Sequence, residues 1–131
     1  VSIIFYNSNN TKAGRRLQEI LEANVLEKNI ETYKNMDALI KRFNHIDPGN
    51  INIAVLLIGS LTEIFQARLI NHFLNEIHII LVLPERSTSM ISSGFKVCPR
   101  FIGYIDDDFN DIAMVFRKIQ QNVKGKEFRY E

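Results

Sequence analysis

A chain of 131 residues with 46% hydrophobic content is the size of one independent domain and can bury a core without disulfides or metals. Lys and Arg total 16 against 15 Asp and Glu, so the net charge near +1 excludes the basic footprint of a nucleic-acid or anionic-membrane binder. The single cysteine, Cys98, excludes an internal disulfide framework and suits a reducing cytoplasm, and no apolar run reaches the roughly 18 residues of a membrane span. A secretory leader pattern is absent from the start, and the beginning at Val1 suggests a domain cut from a longer protein.

In chain order, Ser2 to Tyr6 reads as a buried strand that stops at the polar turn Asn7-Ser8-Asn9-Asn10. From Thr11 to about Leu26, Leu17, Ile20, Leu21 and Val25 recur at helical spacing, with Lys12, Arg15, Arg16, Glu19 and Glu22 on other faces. Ile30 to Tyr33 is a second strand. Met36, Leu39, Ile40 and Phe43 mark a second helix, ended by the turn residues Asp47-Pro48-Gly49-Asn50. Ile51 to Ile58 is almost continuously apolar, as a central parallel strand covered on both faces should be. Gly59-Ser60 breaks it, and Leu61, Ile64, Phe65, Leu69 and Phe73 predict a third helix. His78 to Leu83 is a fourth buried strand stopped by Pro84.

The Ser-rich segment Glu85 to Cys98 has poor periodicity and predicts an irregular stretch or a shortened fourth helix anchored by Met90 and Ile91. Phe101 to Ile105 is a fifth strand. Ile112, Val115, Phe116, Ile119 and Val123 define a last helix ending near Gly125, which leaves 126–131 as a charged tail or linker. Alternating strands and helices with short connections imply an α/β domain over 1–125. Its five parallel strands are expected in the doubly wound order 2-1-3-4-5, with helices on both faces. Ligands and chemistry in such sheets gather at the carboxyl ends of the strands, beside the switch between the first and third.

In element order, spacing and the ending Phe101-Ile-Gly-Tyr-Ile-Asp-Asp-Asp-Phe109, residues 1 to about 124 resemble the receiver domains of response regulators. That resemblance implies paired acids after the first strand to hold Mg²⁺, an Asp after the third to accept phosphate, Thr or Ser after the fourth and Lys after the fifth. This chain departs at each place. Tyr6, Asn7 and Ser8 close the first strand, Ile58 and Gly59 the third (with Ser60 off register), Leu83 and Pro84 the fourth, and Asp107 reverses the charge of the lysine. The resemblance therefore implies a degenerate pseudo-receiver: not an enzyme, without cofactor, binding a protein partner or flanking domains of a cytoplasmic, bacterial-type signalling protein, or forming a homodimer. The expected contact face joins the last helix, the fifth strand and the Ser-rich segment, with Tyr104, Asp106, Asp107, Asp108 and Phe109.

Two alternatives use the same strand ends. Flavodoxins share the strand order, and Asn7 to Thr11 with Gly59 and Ser60 would bind FMN or a nucleotide, although the loop has no glycine before Gly14 to wrap a phosphate. An atypical phosphate-accepting receiver would use displaced acids, Asp107 first. The run Asp106-Asp107-Asp108 would attract Mg²⁺ or a basic partner, yet helix capping by Asp108 or Asn110, with Asp111 in the first turn, explains it more simply. His45, His72 and His78 are too scattered for a zinc motif, and Cys98 lies before the wrong strand for a phosphocysteine carrier. Ser87, Thr88, Ser89, Ser92 and Ser93 read as solvated loop residues rather than kinase sites, and Lys12, Arg15 and Arg16 as a solvated helix face.

Overall fold

Burial with a period of two organises the sheet. Strand β1, Ser2–Asn7, sends Ile3 and Phe5 to one face and Ile4 and Tyr6 to the other. Strand β3, Asn52–Leu57, is buried at every position, dividing Ile53, Val55 and Leu57 from Ala54 and Leu56. Strand β4, Ile77–Leu83, repeats the division with Ile80 and Val82 against Ile79, Leu81 and Leu83. Strands β2, Ile30–Tyr33, and β5, Phe101–Tyr104, are short and only partly buried, as the two edges of a sheet are. These elements come from a computed structural model that describes residues 2–8, 11–26, 29–44, 51–72 and 77–129, with backbone alone at 71–72 and 124–129.

All pairings are parallel and the spatial order is β2-β1-β3-β4-β5, as the alternation of elements predicts. Helices α1, Lys12–Asn24, and α5, Asn110–Arg129, cover one face, where Leu17, Leu21, Ile112, Phe116 and Ile119 meet the Ile53 side of the sheet. On the other face lie α2, Met36–Asn44, α3, Leu61–Ala67, and α4, Thr88–Phe95, contributing Leu39, Phe43, Ile64 and Met90. This is a flavodoxin-like α/β fold. No helix among the described residues is long and apolar enough to cross a membrane.

Several boundaries differ from the sequence expectation. Of the two forms expected for the segment 85–98, the shortened helix is the one present: Ser87 accepts a hydrogen bond from the Met90 N–H and starts α4, whose buried contacts are Met90 and Gly94. Helix α3 ends at Ala67 and tightens into a 3-10 turn, Arg68–His72, so Ile64, Ala67 and Ile70 face the core while Phe65 and Leu69 stay exposed. Helix α5 runs past Gly125 to Arg129. The turn at 47–50, Asn9, Asn10, His45 and Phe73 lie outside the described residues.

Gln120 joins the two helices of the α1 face at their far end. Its Oε1 accepts from the Leu26 N–H at 2.9 Å, and its Nε2 donates to the carbonyls of Asn24 at 3.1 Å and Phe116 at 3.3 Å. A buried amide with both ends engaged fixes where the chain leaves α1.

Candidate functional site

The crevice at the carboxyl ends of β1 and β3 is where the strand order reverses, and Asn7 and Leu57 stand opposite each other there. Among the described residues one acid reaches it, and it comes from the first turn of α3. Ser60 is the N-cap of that helix and Glu63 the third residue after it, a capping-box spacing. The Glu63 N–H donates to Ser60 Oγ at 3.4 Å, and the Glu63 side chain folds back over the strand ends. Its Oε2 accepts from the Gly59 N–H at 2.8 Å and Ser60 Oγ at 3.1 Å; its Oε1 accepts from Ser8 Oγ at 2.8 Å and from the Tyr6 hydroxyl. A single carboxylate thus ties the ends of β1 and β3 together.

The electrostatics follow from those contacts. Burial pushes the Glu63 carboxyl upward, but hydrogen bonds from Tyr6, Ser8, Gly59 and Ser60 outweigh it and hold the group below the ordinary carboxylate range. Burial first, then the hydrogen bond to Glu63, pushes the Tyr6 phenol from 10.0 up to about 12. The carboxylate is therefore charged and the phenol neutral across the whole physiological range.

The receiver-like positions are distributed as follows. Ser8 and Gly59 belong to the Glu63 network. Ile58 and Leu83 are buried in the α2-α3-α4 core, with Pro84 partly buried beyond. Asn7 packs its amide on α1 so tightly that a Cβ at Gly14 would lie 2.5 Å from Nδ2, and its buried Oδ1 has no hydrogen-bond partner among the described residues. Thr11 caps α1, its Oγ1 accepting from the Gly14 N–H at 3.0 Å, so the hydroxyls of the Asn7 to Thr11 loop at Ser8 and Thr11 are already engaged within the chain.

Beyond β5 a second polar cluster forms around Arg86, a residue that spacing alone did not single out. Its guanidinium donates to Asp106 at 2.7 Å and to Asp107 at 2.8 Å and lies over the Tyr104 ring, 4.2 Å from the centroid. The hydrogen bond from Arg86 depresses the Asp106 carboxyl below its ordinary value. Asp108 accepts from the Asn110 N–H at 3.0 Å in an Asx turn that leads into α5, one residue before the N-cap position held by Phe109. Phe109 departs from expectation. With φ at +67° its side chain turns inward to 1% exposure, beside Ile112 and Phe116, so it is core and not part of a contact face. Arg16 is more than a solvated charge: it donates to the Asp107 carbonyl at 3.0 Å and lies over the Phe109 ring at 4.7 Å, bracing α1 against the β5–α5 connection.

Asp106, Asp107, Asp108 and Asp111 line a small polar hollow, and two of them, Asp106 and Asp107, share the single cation Arg86. Among the described residues no three His, Cys, Asp or Glu side chains converge to hold a metal ion. Cys98 is exposed, in a left-handed turn at φ +59°. A scan of protein-family models found none that matches this chain, and a comparison with curated proteins found no match either.

Proposed function

We propose that the chain is a receiver-like domain that accepts no phosphate and works as a protein-protein interaction module in signalling. The observation that carries this reading is the Glu63 carboxylate spanning the crevice between β1 and β3. A phosphoryl group brought there would meet a fixed negative charge, with the nearby hydroxyls and the Gly59 N–H already donating to it. The end of β5 adds to the repulsion, since Asp107 stands where a cation would be needed and its own partner, Arg86, is committed to it and to Asp106. The surface offered to a partner is Tyr104 under Arg86, with Asp106 and Asp107 at its rim, a rigid mixed-charge patch around an aromatic ring.

The test is intact-mass measurement after incubation with acetyl phosphate and Mg²⁺. The expected result is an unchanged mass; a phosphoryl increment that disappears in Asp107→Ala or Glu63→Gln would overturn the reading and favour an atypical phosphate-accepting receiver. Tyr104→Ala combined with Asp107→Lys probes the surface. It should abolish partner binding in a chain that still folds, and unchanged binding would rule this face out.

A further inference from the structure

On the side of the molecule formed by α1 and α5, a shallow groove of about 730 Å³ runs between the two helices. Ile20 and Asn24 form the α1 wall, and Ala113, Met114, Arg117 and Lys118 the α5 wall. Met114 is the most exposed large hydrophobic side chain among the described residues, at 69%. A long, flexible thioether held in water beside a groove is well suited to filling a gap in another surface.

The charges on α5 are arranged about Met114. Asp111, Met114 and Arg117 follow at intervals of three and share the exposed stripe of the helix, with Asn110 and Lys118 four residues to either side of Met114. At about 1.5 Å per residue, Asp111 and Arg117 each lie roughly 4.5 Å along the axis from Met114, on opposite sides. If a second α5 is laid antiparallel on the first with a two-fold axis near Met114, Asp111 of each copy falls opposite Arg117 of the other, and Asn110 opposite Lys118. A parallel arrangement would instead place Asp against Asp and Arg against Arg. The stripe is self-complementary only in the isologous, two-fold sense.

We infer that the α1–α5 face binds a second copy of this chain as an antiparallel two-fold pair in which each Met114 seats in the groove of the other copy, flanked by Asp111–Arg117 ion pairs. The patch spans few helical turns, which puts it at the small end of specific interfaces and makes the association reversible and salt-dependent. The inference does not rest on the signalling role proposed above, because it uses neither the strand-end crevice nor the Tyr104 surface.

Sedimentation velocity over a concentration series tests it. The unmodified chain should pass from monomer to dimer as concentration rises. Asp111→Lys and Arg117→Asp, both changes of exposed residues, should each weaken the dimer at least about tenfold. An equimolar mixture of the two altered chains should associate again, because every facing pair in the mixed dimer has opposite signs. Circular dichroism and the urea midpoint verify that each variant is folded. Three results would overturn the inference: a monomer throughout the concentration series, a dimer that neither substitution weakens, or failure of the mixture to restore association lost in the single variants.

Discussion

Glu63→Gln keeps the shape of the side chain that ties β1 to β3 and removes only its charge. In the native network four donors point at two carboxylate oxygens. Glutamine can keep one oxygen on the Gly59 N–H, while the hydroxyls of Tyr6 and Ser8 turn to accept from the new NH₂. What disappears is the charge assistance, the difference between about 1.5–3 kcal/mol for a hydrogen bond to a charged group and about 0.5–1.5 kcal/mol for a neutral one. Because Glu63 is only partly buried and solvent screens it, the net loss should be about 1–2 kcal/mol, read as a fall of roughly 1 M in the urea midpoint at neutral pH. The same substitution should lower the Tyr6 midpoint from about 12 without returning it to 10.0, because burial, the larger cause of the shift, is untouched. Tyrosinate absorbance, differenced against Tyr6→Phe, reads it.

The pH dependence has two limbs. The depressed Glu63 carboxyl contributes stability that is present above its unfolded pKa of about 4.3 and lost as pH falls through the folded value. The raised Tyr6 phenol contributes stability that is present below 10.0 and lost as pH rises towards about 12. Raising the phenol from 10.0 to about 12 corresponds to ~2.7 kcal/mol, which solvent near the hydroxyl reduces to about 1–2 kcal/mol. If Glu63→Gln left both the urea midpoint and the Tyr6 titration where they were, the network would not be holding the strand ends and the reasoning would fail.

Other perturbations separate the remaining contacts. Gly14→Ala should destabilise by ~1 kcal/mol despite the better helix former, because its Cβ would meet the Asn7 amide at 2.5 Å. In an Asn7→Ala background that cost should vanish, and an equal cost in both backgrounds would refute the clash. Gln120→Leu should cost about 1–2 kcal/mol by stranding the Leu26 N–H and the Asn24 carbonyl, measurable as accelerated amide exchange at Leu26. Arg86→Ala should raise the Asp106 pKa towards its ordinary value, followed by carboxyl chemical shifts; an unmoved titration would show that the ion pair does not persist in solution.

The sheet was legible in the sequence because strands buried on both faces write themselves as apolar runs, and Ile51 to Ile58 and His78 to Leu83 are such runs. Helix α4 was obscured because one of its two buried positions is Gly94, which packs by having no side chain: a Cβ there would come within 3.1 Å of Leu81. The third helix misled in the opposite direction. Phe65 and Leu69 satisfy a helical apolar pattern, but the small residue Ala67 and the 3-10 turn rotate Ile70 inward and leave the two larger side chains outside. The central acid of the crevice is hidden from strand-end positions, because Glu63 does not follow a strand directly but arrives by folding back from a helix. The Ser60-to-Glu63 capping-box spacing was the available signal. Arg86 lies 20 residues before its partner Asp106, a pairing that no local pattern encodes.

The wholly parallel sheet also governs how the chain must fold. No two neighbouring strands are joined by a hairpin, so none can zip up from a turn, and each ladder waits for a crossover helix to bring distant segments together. The β1–β3 ladder joins Ser2 to Asn52 across the whole of α1, β2 and α2, and the β1 edge of β3 stays open until that loop has closed. Until then the β-branched, apolar stretch Ile51 to Ile58 is exposed, the segment through which a slowly folding or newly made chain would self-associate in disorder.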